Sequence, residues 1–122
     1  MSGGKLSLLE QLVVAGLDDW VYDAEVCGNI ARSVVEDSDD RRAIAIGLIQ
    51  AAIIRRWVVA GEVTADGTFE RWDGSPAEVA ARVAVGWMAR EVVDVRPGEV
   101  VWLENTPEGD SVGRAALEGE PA

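Results

Sequence analysis

The chain contains no histidine and only one cysteine among its 122 residues. The missing histidine excludes Ser–His–Asp and Cys–His nucleophile systems, because both need an imidazole to take the proton from the nucleophile. One cysteine cannot form an internal disulfide and cannot build a cysteine-based zinc cage. We interpret Cys27, between Val26 and Ile30 on a predicted helix, as a small buried hydrophobic residue.

Phosphate-binding and calcium-binding loops are missing as well. Gly47 and Gly61 are isolated, and the only glycine pair, in residues 2–5, is too short and too close to the N-terminus. Residues 37–41 place Arg41 where a calcium loop needs an oxygen ligand, and no glycine and distal glutamate follow at the required spacing. We expect no cofactor and no metal. The 22 acidic residues could include an acid pair for glycoside hydrolysis, so a small enzyme is one functional hypothesis. It ranks third, behind the two binding functions described below, because the sequence contains no catalytic motif.

Basic residues are scarce: 11 Lys and Arg face 22 Asp and Glu, which gives a formal net charge of −11. Such a charge makes nucleic acid and anionic membranes unlikely partners and favours a basic protein partner, although acidity also serves solubility alone. The N-terminal apolar segment is interrupted by Glu10 and Gln11 and has no small-residue cleavage site after it. We therefore expect a cytoplasmic protein with no membrane segment.

Apolar residues are plentiful, at 48% of the chain, which is enough for the core of one domain over residues 1–122. We expect that core to span about residues 6–104, with a weakly ordered tail from about residue 111. The longest apolar stretch, residues 39–60, predicts a central helix with a wide apolar surface that Gly61 would end.

Local patterns predict the remaining elements. Ser7 with Glu10 and Ser75 with Glu78 are capping boxes, and Asp23 is placed to cap a second helix. An Asp66-Gly67 turn indicates a β-hairpin. The predicted class is α+β and mainly helical, with four helices over residues 8–15, 24–35, 39–60 and 76–92, a small hairpin over residues 62–72 and a short strand over residues 100–103.

Three helices followed by a hairpin resemble a winged-helix domain over about residues 6–72. In that resemblance residues 39–60 take the position of the recognition helix and residues 62–72 form the wing. The departure is that a recognition helix presents polar and basic side chains to DNA, whereas this one is mainly apolar and begins with two aspartates. The resemblance implies a transcription regulator as the alternative function, binding DNA through Arg41, Arg42, Arg55, Arg56 and Arg71.

A second resemblance concerns residues 102–110 and the spacing of Gly61, Phe69 and Trp72. These features are similar to those of short uncharacterised actinobacterial proteins, and acidic single-domain proteins of this sort resemble immunity proteins that neutralise toxins. The resemblance implies an acidic inhibitor of a basic partner, and no functional residue is transferred from it.

Acidic residues are concentrated in one segment, where eight of them lie within residues 18–40 against one cation, Arg32. One explanation is that they complement helix N-termini and form a solvated surface. The other is a negative surface that occludes a basic partner through charge-assisted contacts to Arg or Lys. The candidate partner-binding residues are Asp18, Asp19, Asp23, Asp37, Asp39 and Asp40.

Five tryptophans are many for a small domain. We expect four of them to pack in the core, namely Trp20, Trp57, Trp72 and Trp87, and we leave Trp102 unassigned. A homodimer sealed by Trp87 or by residues 100–103 is compatible with each of the functions considered.

Overall fold

A computed structural model describes residues 6–91 and 94–119 of the chain. It confirms the α+β class, as helices pack against one four-stranded antiparallel sheet. The helices are α1 (Leu8–Ala15), α2 (Asp23–Glu25), α3 (Ser38–Ile54), α4 (Pro76–Met88) and α5 (Pro107–Leu117). The strands are β1 (Val21–Tyr22), β2 (Val58–Val63), β3 (Phe69–Arg71) and β4 (Trp102–Asn105).

The sheet has the strand order β1-β4-β2-β3, in which β4 is inserted between two strands that precede it in the chain. Leu103 of β4 pairs with Val21 on one side and with Ala60 on the other. Strands β2 and β3 pair antiparallel in the region of the predicted hairpin, but they form half of this sheet, so a separate small hairpin is not confirmed. The winged-helix arrangement is therefore not confirmed.

The central helix α3 is shorter than predicted. It is capped by Asp37, whose side chain accepts a hydrogen bond from Asp40 N at 3.0 Å, and it ends at Ile54. After the cap residue Arg55, two backbone N–H groups form a Schellman motif, with Arg56 N bonded to Ile53 O and Trp57 N to Ala52 O, each at 3.0 Å. Gly61 therefore does not end the helix, and residues 58–60 belong to β2.

The core lies between the helices and one face of the sheet. Helix α3 buries a single stripe of Ala45, Ile46, Ile49, Ala52 and Ile53, while Ile54 remains 51% exposed. The wide apolar surface predicted for this helix is thus only partly covered. Cys27 is buried in the same core, as expected.

Both predicted capping boxes are confirmed, at the starts of α1 and α4. Helix α4 ends at Met88, before the predicted limit of residue 92, which lies outside the described residues. The second predicted helix begins as α2 and continues through a π-helical segment, Val26–Ile30, and a 3-10 turn, Ala31–Ser33.

The C-terminal segment differs most from expectation. Residue 111 lies inside α5, an 11-residue helix whose Thr106 cap accepts a hydrogen bond from Gly109 N at 3.0 Å. Gly109, Gly113 and Ala116 are buried, and Gly113 packs close to the Val13 carbonyl of α1. The packed part of the chain therefore extends beyond residue 104.

The tryptophans divide into two groups. Trp87 is fully buried in the core, and the partly buried Trp57 and Trp72 pack against that core. Trp20 lies outside this cluster with Trp102, so its predicted place in the core is wrong. Among the described residues, no helix combines the length and apolarity needed to cross a bilayer.

Candidate functional site

Asp23 is not a partner-binding residue, because its side chain is fully buried. Its Oδ1 accepts hydrogen bonds from Ala24 N at 2.7 Å and Gly98 N at 2.8 Å. Its Oδ2 accepts from Val100 N at 2.6 Å and Val101 N at 3.1 Å. The carboxyl group therefore joins the end of β1 to the segment that leads into β4, and its predicted contact with a partner is wrong.

Burial raises the pKa of Asp23 above its ordinary value of 3.8, because the charged form loses its hydration inside the protein. The four backbone N–H groups oppose that shift, since each stabilises the carboxylate. These opposing effects on the pKa of Asp23 are those of a structural group that has no access to solvent.

The other five predicted carboxylates are exposed, in two groups. Asp18 and Asp19 precede β1, whereas Asp37, Asp39 and Asp40 lie at the start of α3. Within the described residues, no hydrogen bond or ion pair joins one group to the other. The α3 group has a structural explanation as well, because Asp37 caps the helix and Asp39 lies 3.6 Å from Arg42.

Four aromatic side chains form a continuous row across the sheet. The ring centroid of Trp20 lies 6.0 Å from that of Phe69 and 6.5 Å from that of Trp102, and Tyr22 lies 5.3 Å from Trp102. We call these four residues the aromatic row. All four residues are half-buried.

The strand register places this row on the face away from the helices. Tyr22 pairs with Trp102, and their neighbours Val21 and Leu103 also pair with each other. Since successive side chains of a strand point to opposite faces, the two pairs lie on opposite sides of the sheet. Val21 and Leu103 belong to the buried core, whereas no member of the aromatic row does.

Carboxylates border the row at Trp20. Asp19 Oδ1 accepts a hydrogen bond from Trp20 N at 2.7 Å, and Trp20 Nε1 donates one to Glu104 Oε2 at 3.0 Å. Glu25 lies near Asp19, and burial, followed by the charge of Asp19, raises the pKa of Glu25. We call the aromatic row together with Asp19 and Glu104 the acidic aromatic face; Asp18 is exposed next to Asp19 in the chain.

Sequence reasoning found Asp18 and Asp19 but missed the aromatic row and Glu104. The alternation of Trp20 and Tyr22 around an aliphatic residue was a local signal for one face of a strand. The pairing of β1 with β4 had no such signal, because residues 21 and 103 are remote in the sequence.

The arginines proposed for DNA binding do not form one surface. Arg41 and Arg42 lie near the start of the 17-residue α3, whereas Arg55 and Arg56 follow its end. The two pairs are separated by about 20 Å at 1.5 Å per residue. Arg42 donates a hydrogen bond to Arg90 O at 3.4 Å. Arg56 instead shares a cleft with the fifth arginine of that set, Arg71.

Two further expectations concern metal ions and dimers. Within residues 6–91 and 94–119, no cluster of three or more His, Cys, Asp or Glu side chains is placed to hold a metal ion. Trp87, Val101 and Leu103 are buried inside the chain, so they cannot seal a homodimer as suggested. In the segment 100–103, Trp102 is half-exposed.

Comparison with known proteins adds no relative. No protein-family model matches the chain, and no curated protein or solved structure matches it significantly.

Proposed function

We propose that this protein is a non-enzymatic interaction module that binds a basic protein partner through the acidic aromatic face, as an inhibitor of immunity type would. The observation that carries the proposal is the aromatic row on the helix-free face of the sheet, with carboxylates beside Trp20. The proposed binding residues differ in part from those expected from sequence. Asp23 is no longer among them, and the aromatic side chains and Glu104 are added.

Aromatic side chains suit the centre of a protein interface. Trp and Tyr are enriched among the residues that dominate binding energy, because they bury a large rigid surface at low entropic cost. An arginine of the partner would stack on an indole face and donate hydrogen bonds to an adjacent carboxylate. Trp20, held between Asp19 and Glu104, offers both contacts at one position.

The rest of the surface supports the same partner chemistry. A net charge of −11 attracts a cationic protein over long distances and raises the association rate at low ionic strength. Asp37, Asp39 and Asp40 contribute to this field without needing to touch the partner. We therefore assign them a smaller effect on affinity than Glu104 and Trp20.

The experiment begins with the immobilised protein and a native cell lysate, at about 0.05 M and about 0.5 M salt. A protein released by salt is identified, purified and titrated against wild-type and variant chains. Trp20→Ala and Glu104→Gln test the acidic aromatic face. Val85→Ala is the matched control, because Val85 is 71% exposed on α4, remote from the sheet's aromatic row.

A basic partner whose affinity falls about tenfold with Trp20→Ala or Glu104→Gln, and stays unchanged with Val85→Ala, supports the proposal. An acidic partner, a salt-insensitive complex, or equal affinities for all three variants contradicts it.

A further inference from the structure

A cleft of about 380 Å³ opens where the end of α3, the strands β2 and β3 and the start of α4 meet. Its apolar wall includes Ile53, Val59, Val79 and the ring of Trp72. Its charged lining residues are Arg56 and Arg71, and no lining residue carries a carboxylate. In a chain with two acidic residues for each basic one, the cleft has a charge opposite to that of the whole protein.

Within the described residues, the guanidinium groups of Arg56 and Arg71 have no hydrogen bond, ion pair or ring contact. Other arginines do have such partners: Arg82 stacks 3.8 Å above the Trp72 ring, and Arg90 lies 3.0 Å from Glu99. Two arginines line one cleft with both sets of donors unused. Arginine is suited to binding a carboxylate, because its planar guanidinium group can donate two parallel hydrogen bonds.

The backbone of Arg56 is held in a conformation that glycine normally adopts. Its φ angle is 62°, and it occupies the position after the α3 cap, where glycine is the usual residue. Thr106 Oγ1 donates a hydrogen bond to Arg56 O at 2.7 Å and helps to fix this conformation. Because a non-glycine residue is disfavoured there, the arginine side chain has a cost in stability that a ligand contact would explain.

At the cleft, β2 extends beyond the end of its pairing with β3. The final bond between β3 and β2 runs from Trp72 N to Ala60 O at 2.9 Å, after which the chain turns away through Gly74. Hydrogen-bonding directions alternate along a strand, and Trp57 O faces β4 through its bond to Thr106 N. The N–H and C=O of Val58 are therefore directed toward the β3 side, where β3 has already ended.

We propose that this cleft binds a carboxylate attached to an apolar group. Arg56 and Arg71 hold the carboxylate, and the apolar group packs against Ile53, Val79 and Trp72. A small organic acid and the C-terminus of a peptide share this chemistry, so both are tested. The cleft includes no residue of the acidic aromatic face, although the register places Arg71 on the same side of the sheet as Phe69, and it binds a ligand of opposite charge.

The test uses four probes and the full chain, with binding followed by calorimetry. 1-Naphthaleneacetate is compared with the neutral 1-naphthaleneacetamide, and a peptide ending in Leu-Val with a free C-terminus is compared with its C-terminal amide. Each comparison removes the charge and keeps the shape. At least one carboxylate should bind ten times more tightly than its amide, and the tighter of the two carboxylates identifies the source of the ligand.

Three variants locate the site. Arg56→Gly and Arg71→Gln should each weaken carboxylate binding about tenfold, because each removes charge-assisted hydrogen bonds. Arg55→Gln is the matched control, because Arg55 stacks on the Trp57 ring 5.1 Å away and does not line the cleft. Thermal unfolding of Arg56→Gly should occur at the wild-type temperature or above, which separates lost binding from lost folding.

The proposal is overturned if neither carboxylate binds or if each binds no better than its amide. It is also overturned if Arg56→Gly and Arg71→Gln leave affinity unchanged, or if Arg55→Gln weakens binding as much as they do. Failure of the partner-binding proposal leaves these outcomes unaffected, since they involve different residues and a different probe.

Discussion

At the scale of single residues, Asp23 is the acidic side chain that is fully buried among the residues that the structure describes. Its carboxyl group accepts hydrogen bonds from positions 75 to 78 residues later in the chain. These bonds order the segment before β4 and so help to set the β1–β4 register that builds the aromatic row. A buried group thereby positions the surface that we propose for binding.

Asp23→Asn should lower the free energy of unfolding by about 3 kcal/mol, because the new NH₂ group would face two backbone N–H donors and accept from neither. Urea denaturation of wild type and variant measures the difference. Asp18→Asn is the control, since Asp18 is exposed and its loss should change stability by less than about 0.5 kcal/mol. Equal stability of Asp23→Asn and wild type would show that the four bonds contribute little.

Asp23 should also give stability a distinctive pH dependence. Because its folded pKa is raised above 3.8, the folded chain keeps this proton over a pH range in which the unfolded chain has lost it. Its contribution to stability is therefore greatest below about pH 3.8 and decreases as the pH rises through the folded pKa. Denaturation curves at several pH values should show wild type losing stability relative to Asp23→Asn with rising pH; a gain would contradict the sign.

At the scale of elements, the end of α3 determines where the sheet begins. The Schellman motif at Arg56 stops the helix within an apolar segment, so that Val58 and Ala60 enter β2 and reach the core. The same turn places Arg56 at the cleft. The backbone conformation therefore favours glycine at position 56, whereas the proposed ligand site needs arginine there.

Arg56→Gly should raise the free energy of unfolding by about 0.5–1 kcal/mol, since glycine adopts a positive φ without strain. Chemical denaturation checks the direction. A destabilised variant would mean that the arginine side chain supports the fold, which would remove the argument from backbone strain.

Substitutions in helix α5 measure how closely the C-terminal segment packs against the rest of the protein. A methyl group at Gly109 would overlap the carbonyl oxygen of Trp57, so Gly109→Ala should lower stability by about 2–3 kcal/mol. Gly47 is the matched control on α3, where a methyl group meets no atom within 4 Å. Gly47→Ala should raise stability by about 0.5–1 kcal/mol in the same denaturation experiment, because alanine favours a helix.

At the scale of the whole molecule, charge and apolar surface are unevenly distributed. The helix-free face of the sheet has aromatic rings and carboxylates, whereas the cleft beside β3 has two arginines and no carboxylate. These surfaces suit ligands of opposite charge. One chain could therefore bind a basic protein and a carboxylate at the same time.

The charge of −11 leads to a kinetic prediction. Raising the salt concentration from about 0.05 M to about 0.5 M should slow association with a basic partner by about tenfold or more, with a smaller change in dissociation. Stopped-flow measurements with the purified partner separate the two rates. A salt effect confined to dissociation would argue against long-range attraction.

Local sequence patterns predicted much of the helical structure. The two capping boxes gave the starts of α1 and α4 to the residue, because each pattern satisfies its own backbone groups within one turn. The end of α3 was missed, since residues 58–60 have the apolar character of a helix and become a strand through pairing with β4. Helix α5 was missed because its small residues, Gly109 and Gly113, give a weak apolar pattern and gain their role only beside other elements.

The sequence by itself determined the α+β class, the acidic net charge, the absence of histidine chemistry and the local starts of helices, since these depend on composition or on residues a few positions apart. Only the tertiary structure decided that Asp23 is buried, that the aromatic side chains of β1 and β4 meet, and that Arg56 and Arg71 share one cleft. Each of those outcomes depends on contacts between residues remote in sequence, and no local pattern specifies which distant segments will pair.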